Sequence, residues 1–288
     1  MIKSPKLFYN YYIMKSKITI SLDEVILSRI DSWVEKWEWK NRSQVIENIL
    51  KQKFWDFVDV SAIVFAHDYK WDNRPYPFDE PKSLLKVRNK TIISRQIEIF
   101  AKTWIKNIII LIPKWTIDLF KNEIFWKFSD IYFDFIEIDS DLLTWNALKI
   151  AMNSKLITNK IIISNWDIFY WKLDLEEYYN YHKEQKSDFS FCLKFVLNPE
   201  QLWNIKIHWN RVIEFVEKPK ASQMNLTNSW LYITTKNFLD KFDYWDYLEK
   251  DFFPRLPDIS NTIWYIYPWE WEHIQNDSAY ERINWWLI

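Results

Sequence analysis

Ala62–Val87 reads AIVFAHDYKWDNRPYPFDEPKSLLKV, and the rest of the chain is parsed outward from it. Ala62-Ile63-Val64-Phe65-Ala66 is a continuous apolar run of strand length, as in a strand buried on both faces. A polar loop starts at His67 and closes on Pro81-Lys82. Ser83-Leu84-Leu85-Lys86-Val87 then returns to apolar character. Strand, long polar loop, Pro-Lys and apolar run is the layout of a loop that wraps phosphates after the first strand of an α/β domain.

Downstream, strands and helices alternate. Helices are predicted over 91–103, 117–127 and 146–154, and apolar strands over 107–112, 132–138 and 160–164. Continuous apolar strands separated by helices predict a mostly parallel sheet covered on both faces. After Asp167 the pattern turns antiparallel. Strands are predicted over 189–196, 205–207, 212–215 and 231–234, and a helix over 236–242.

The composition is anomalous. The chain of 288 residues has 20 Trp and no Gly. Ordinary usage of about 7% would give roughly 20 Gly. The tryptophans also stand where turns need glycine, as Trp104 in AKTWIKNIIIL, Trp166 in SNWDIF and Trp209 in IKIHWNRVIEF. Such turns require positive φ, which glycine tolerates and tryptophan does not. Most of the tryptophans are therefore read as glycines encoded by UGA in an organism that decodes it so. Trp271 fits its context as a true tryptophan, and Trp33, Trp285 and Trp286 are left open.

Other classes are bounded more simply. The formal net charge of −1 gives no global nucleic-acid signal. One cysteine, Cys192, argues against a disulfide framework and a cysteine-based zinc site and reads as core. No apolar run has membrane-spanning length. Residues 1–15 form an aromatic, basic extension without a signal-peptide core, and Met14 is an alternative start. The expectation is a cytoplasmic protein. His182 and His208 read as surface residues.

Residues 16–54 read as a separate unit. Lys17–Leu22 (KITISL) alternates like a half-buried strand, Asp23 caps a helix over EVILSRIDSWVEKW, and Asn41-Arg42-Ser43-Gln44 opens a second helix. KITISLDE, the Arg-Ile-Asp of the first helix and Asn-Arg-Ser-Gln-Val-Ile resemble the ribbon-helix-helix family of DNA-binding proteins. That family folds as an intertwined dimer, which implies a homodimer or a dimer of dimers. The resemblance puts Lys17, Thr19 and Ser21 against bases and Arg42 and Ser43 near the DNA backbone. A dimerisation module without DNA contact is the other reading.

Residues 61–288 resemble the sugar-phosphate nucleotidyltransferases, whose domain is Rossmann-like and GT-A-like. Ordered pieces carry the resemblance: Ala62–Val87, IISRQIEIFAKTWIKNIIIL, Leu143-Thr144-Trp145-Asn146-Ala147-Leu148, Ser164-Asn165-Trp166-Asp167, Phe215-Val216-Glu217-Lys218-Pro219, Asn228-Ser229-Trp230-Leu231-Tyr232, LEKDFFP at 248–254 and a tail around Trp271 and Tyr280-Glu281-Arg282. The resemblance implies transfer of a nucleotidyl group from a nucleoside triphosphate to a sugar 1-phosphate, with release of pyrophosphate. It implies Mg²⁺ or another divalent cation on Asp167, with Lys82 as a charge on phosphate oxygens. Ala66, His67, Asp68, Lys70, Arg74, Trp145 and Asn146 would surround the nucleotide. Glu217, Lys218 and Asn228 would hold the sugar phosphate.

The chain departs from the family at two places. The glycine pair of the phosphate loop is His67-Asp68, and the loop arginine is Asp72. The family's second metal-binding aspartate falls on His273. Either the metal site is rebuilt with His273 as a ligand, or the domain senses a nucleotide or sugar nucleotide without turnover, as part of a DNA-binding regulator.

Overall fold

The computed structural model describes residues 19–35, 40–55, 59–67, 81–139, 141–197, 202–217, 225–243, 245–274 and 277–286. The chain divides into two compact units, 1–53 and 54–288.

The smaller unit carries α1 (Glu24–Glu35) and most of α2 (Arg42–Trp55). The Asp23 carboxylate accepts from the Ile26 amide at 2.8 Å and caps α1. Asn41 does the same for α2 through the Gln44 amide at 2.9 Å. Ile30 and Val45 are buried, but Val25, Ile26, Ile49 and Leu50 stay exposed. The strand expected over Lys17–Leu22 is not formed in its described part, because Thr19–Leu22 is exposed and unpaired in secondary structure. A ribbon strand has no backbone partner within a single chain.

The larger unit opens with β1 (Val60–Phe65). Then come the short hairpin β2 (Lys86–Val87) and β3 (Lys90–Thr91), α3 (Ile92–Lys102), β4 (Asn107–Pro113), α4 (Ile117–Ile124), β5 (Tyr132–Ile138), α5 (Thr144–Ala151) and β6 (Lys160–Asn165). The second half holds β7 (Ile168–Tyr170), α6 (Leu175–Glu184), β8 (Phe189–Phe195), β9 (Trp203–His208), β10 (Arg211–Glu217), β11 (Leu226–Thr235), α7 (Lys236–Leu239), α8 (Leu256–Ile259), β12 (Thr262–Ile266), β13 (Trp271–His273) and α9 (Asp277–Trp286).

Nine strands form one sheet in the order β5-β4-β1-β6-β11-β8-β12-β10-β9. β5, β4, β1 and β6 are parallel, with Ala62–Val64 and Ile108–Ile112 fully buried. Beyond β6 the pairings are antiparallel, except that β8 and β12 run parallel. The sheet is thus more evenly mixed than the mostly parallel one expected. The continuous apolar runs are confined to its parallel half, where layers cover both faces.

One correction concerns a single residue. His182 is buried on α6, with Nδ1 2.5 Å from Ser190 Oγ, because that face of α6 packs against β8. Its burial depresses the imidazole pKa to about 4. His208 is exposed and Cys192 buried, as expected.

Left-handed backbone bears on the tryptophans. Among the described residues, the positive-φ positions are Arg88, Trp104, Trp115, Lys186, Trp209 and Trp230. A bulky residue at positive φ is an outlier, yet tryptophan holds four of these six. Trp115 and Trp209 are also 90% and 83% exposed, so no packing holds them there. At each of these two positions a glycine variant should be more stable than the alanine variant by about 1 kcal/mol, reversing the usual order. Chemical denaturation of both pairs measures this, and alanine equalling glycine would show that the backbone there is not left-handed.

Candidate active site

The site lies where the parallel strands end. β1 and β6 pair in register, Phe65 opposite Asn165. Continuing two residues past each end sets His67 beside Asp167, and the Asp167 charge is felt at the imidazole. β13 lies antiparallel to β7, with His273 opposite Ile168. The Ile274 amide donates to the Asp167 carbonyl at 2.7 Å. These registers bring His273 Nε2 to 2.9 Å from Asp167 Oδ2 across 106 residues of sequence.

Lys82 arrives from the other side. Pro81 leads into a single 3-10 turn, Lys82–Leu84, whose Ser83 and Leu84 are buried. That anchor holds the Lys82 ammonium over the Trp166 ring, 6.0 Å from its centroid. The hairpin that follows this turn is fixed from outside by α9. Tyr280 donates to the Lys86 carbonyl, and the Arg88 amide donates to Asn284 at 3.1 Å. α9 also steadies β13, through a two-point ion pair of Arg282 with Glu272 at 2.6 and 3.2 Å.

Phe65, His67, Lys82, Thr144, Asn165, Trp166, Asp167, Tyr232 and Glu249 surround a cavity of about 290 Å³. Asp167 Oδ1 is buried there without a hydrogen-bond partner. An orphaned carboxylate oxygen facing a polar cavity is what an ion site presents. Among the described residues no group of three or more His, Cys, Asp or Glu side chains is arranged to hold a metal. Asp167 and His273 fit as two protein ligands only if substrate phosphates and water complete the shell, which is how a Mg²⁺-like cation is commonly held.

Several expected residues are placed differently. Ala66 is fully buried and does not line the cavity. Trp145 does not face the cavity; it is buried against Phe252, ring centroids 4.8 Å apart. Asn146 lies in the first turn of α5 and does not line the cavity, whereas Thr144 does. Asn228 is fully buried, and its side chain is used internally: Nδ2 donates to the Tyr232 hydroxyl at 2.6 Å and Oδ1 accepts from the Trp230 amide at 3.0 Å. It shapes the wall through Tyr232 and does not itself reach the cavity. Glu217 ends β10. Asp68, Lys70, Asp72, Arg74, Lys218 and Lys17 lie outside the described residues. Thr19, Ser21, Arg42 and Ser43 are exposed, and Arg42 is held by Asp31 at 2.5 and 2.7 Å.

Three residues went unread in the sequence. Gln96 of α3 is buried and donates through Nε2 to Ser164 Oγ at 2.7 Å and to the Asn165 carbonyl at 2.5 Å, bracing the strand end before Asp167. Thr144 donates to Glu249 at 3.0 Å and accepts from the Leu248 amide at 2.8 Å, clasping the start of α5 to the 248–252 turn. Burial raises the Glu249 carboxyl pKa, and the Asp167 charge adds to the shift. The LEKDFFP and LTWNAL pieces contain both members, but their pairing spans 105 residues and leaves no local signal.

Burial lowers the His67 pKa to about 4, against the opposing pull of Asp167. His67 is thus neutral in the folded chain at pH 7 and protonates more readily when unfolded. Its contribution to stability is complete above about pH 6.5 and is lost as pH falls toward 4, at up to about 1.4 kcal/mol per pH unit. Urea midpoints at about pH 7 and about pH 5 should show a shallower loss for His67→Asn than for the parent. Equal slopes would mean that the imidazole is not buried as described.

A family model described as nucleotidyl transferase matches residues 74–263. The "Putative mannose-1-phosphate guanyltransferase" of Sulfolobus acidocaldarius is 26% identical over 227 residues, spanning 78% of this chain and 62% of that protein. Mannose-1-phosphate guanylyltransferase 1 of Arabidopsis thaliana is 23% identical over 235 residues, 77% of this chain and 63% of its own. The chain therefore spans less than two thirds of the length of these relatives. The fold matches HddC from Yersinia pseudotuberculosis complexed with GMP-PN, with a TM-score of 0.65 at 20% identity, covering 79% of this chain and 99% of that one. With a family match over most of the larger unit and a nucleotidyltransferase fold around the Lys82–Asp167 cavity, the chain belongs to the nucleotidyl transferase family.

Proposed function

We propose that the larger unit joins a nucleoside triphosphate to a sugar 1-phosphate, releasing pyrophosphate, with GTP and mannose 1-phosphate as the leading pair. One observation carries the reading. Lys82 and Asp167 face a single cavity at the ends of β1 and β6, where open α/β sheets bind ligands, and His273 backs Asp167 at 2.9 Å. The names of the curated relatives support the choice of base and sugar.

In the reaction a sugar-phosphate oxygen attacks the α-phosphorus in line. A new P–O bond forms, the bond to the bridging oxygen breaks, and pyrophosphate leaves with its electron pair. Alignment and charge neutralisation do most of the work. Lys82 supplies a fixed positive charge to phosphate oxygens, with Lys70 and Arg74 offsetting Asp68 and Asp72 along the loop. Asp167 and His273 would hold a divalent cation that neutralises phosphate charge. Glu217 is assigned to sugar hydroxyls and Lys218 to the sugar phosphate.

Pyrophosphate release across a panel of triphosphates and sugar 1-phosphates with Mg²⁺ or Mn²⁺ tests this reading. GTP with mannose 1-phosphate should give the fastest turnover. Lys82→Met and Asp167→Asn should each lower kcat by about 10²-fold or more, as for other charge-stabilising groups. No turnover with any pair, alongside measurable nucleotide binding, would leave the sensor reading instead.

For the smaller unit we propose a ribbon-helix-helix dimer that binds DNA. Its support is an uncovered apolar face. Val25, at 68% exposure, together with Ile20, Ile26, Ile49 and Leu50 is left to solvent in a unit of two short helices. A second copy of the same unit covers such a face, and pairing of the two 17–22 segments supplies the missing strand partner. Light scattering should give a dimer for the parent and a monomer for Ile26→Glu. A gel shift on the protein's own upstream DNA should weaken for Arg42→Ala; a dimer with no shift at low salt would reduce the unit to a dimerisation module.

A further inference from the structure

Three indoles stand in the elements around the cavity; of these Trp166 lines it, Trp145 and Trp230 lie behind residues that touch it, and only Trp230 is at positive φ. Trp230 lies in β11 where the register with β8 shifts between Asn228 and Tyr232, at φ 56°. A bulge with a left-handed residue is a glycine position. Here its ring presses on His273, centroids 4.6 Å apart, and so on the partner of Asp167. Trp166 sits between Asn165 and Asp167, and its ring forms the cavity wall beneath Lys82. Trp145 opens α5 fully buried, with no hydrogen-bond partner for Nε1, although buried indole N–H groups usually find one. The cavity, about 290 Å³, falls just below the roughly 300–1,000 Å³ that one drug-sized ligand takes. A nucleoside triphosphate and a sugar phosphate need more.

We propose that the working polypeptide carries glycine at positions 145, 166 and 230, decoded like the turn positions 104, 115 and 209, and that the substrates use the volume these indoles fill. The second half rests on the nucleotidyl-transfer reading; the first does not. Glycine at 230 relieves the left-handed strain and frees the ring face of His273. Glycine at 166 lets phosphate approach the Asn165-Asp167 backbone. Glycine at 145 empties the space behind Thr144, whose hydroxyl bonds Glu249. A chain made with tryptophan at all three would fold around a plugged site.

Two measurements test the proposal separately. Tryptic peptides of the protein from its source organism, 161–172 and 221–236, should fragment with glycine at 166 and 230; tryptophan at either overturns the assignment. Recombinant chains, one with the written sequence and one with Trp145→Gly, Trp166→Gly and Trp230→Gly, are then compared by calorimetry with GTP and Mg²⁺. Circular dichroism confirms that both are folded. The glycine chain should bind at least tenfold tighter. Equal or weaker binding by a folded glycine chain overturns the claim about volume. If the peptides read glycine but no nucleoside triphosphate binds, the transfer reading fails and the glycine assignment stands.

Discussion

The parallel register of β1 with β6 is the constraint on which the rest of the site depends. With Phe65 held opposite Asn165, the residues just past both strands must share one level. His67 and Asp167 therefore meet without any contact of their own being needed to recruit them. The energy for this comes from a remote source. Ala62, Ile63, Val64, Ile161 and Ile162 are completely buried, and each of the larger aliphatic side chains so placed contributes roughly 1.5–3 kcal/mol. The polar mouth is a small cost on that interior, which lets a neutral histidine and an orphaned carboxylate oxygen persist there.

The second sheet edge then works on the first. β7 and β13 are three-residue strands with little stability alone, yet they place His273 against Asp167. They hold because both ends are tied down: α9 grips β13 through Arg282 and Glu272, and the Ile274 amide bonds the Asp167 carbonyl. The same α9 also fixes the hairpin that follows Lys82. One helix thereby positions both the cationic and the anionic side of the cavity, so damage to α9 reaches the site without touching it.

The sequence made these parts legible to different degrees, for physical reasons. Runs such as Asn107–Ile112 and Lys160–Ser164 were readable because burial on both faces leaves an uninterrupted apolar record. Asp167 was readable because it follows a sharp change from apolar to polar, and Lys82 because it closes a long polar loop just before the chain turns apolar again. β7, β13 and α6 were not: the strands are too short for a period, and α6 (LEEYYNYHKE) hides its buried face in tyrosines and a histidine. Asn228 was assigned to sugar because its type and motif allow it. Only the fold shows its side chain turned to Tyr232. Glu249 was missed for the converse reason, since a charged residue in LEKDFFP looks solvated until Thr144 is brought to it.

The tryptophans show where type and place disagree outright. Local propensity, turn chemistry and packing ordinarily point the same way in a foldable chain. Here the backbone bends left-handed at Trp104, Trp115, Trp209 and Trp230 as though no side chain were present. A strained position with a function would be one residue, held by its surroundings. Instead the conflict recurs at three separate turns and a strand bulge, two of the turn positions with solvent on almost every side. Strain that nothing compensates, repeated with one residue type, is explained more simply by a wrong letter than by a cost the fold has learned to carry. The fold is thus consistent with itself, and the inconsistency lies in the alphabet used to write it.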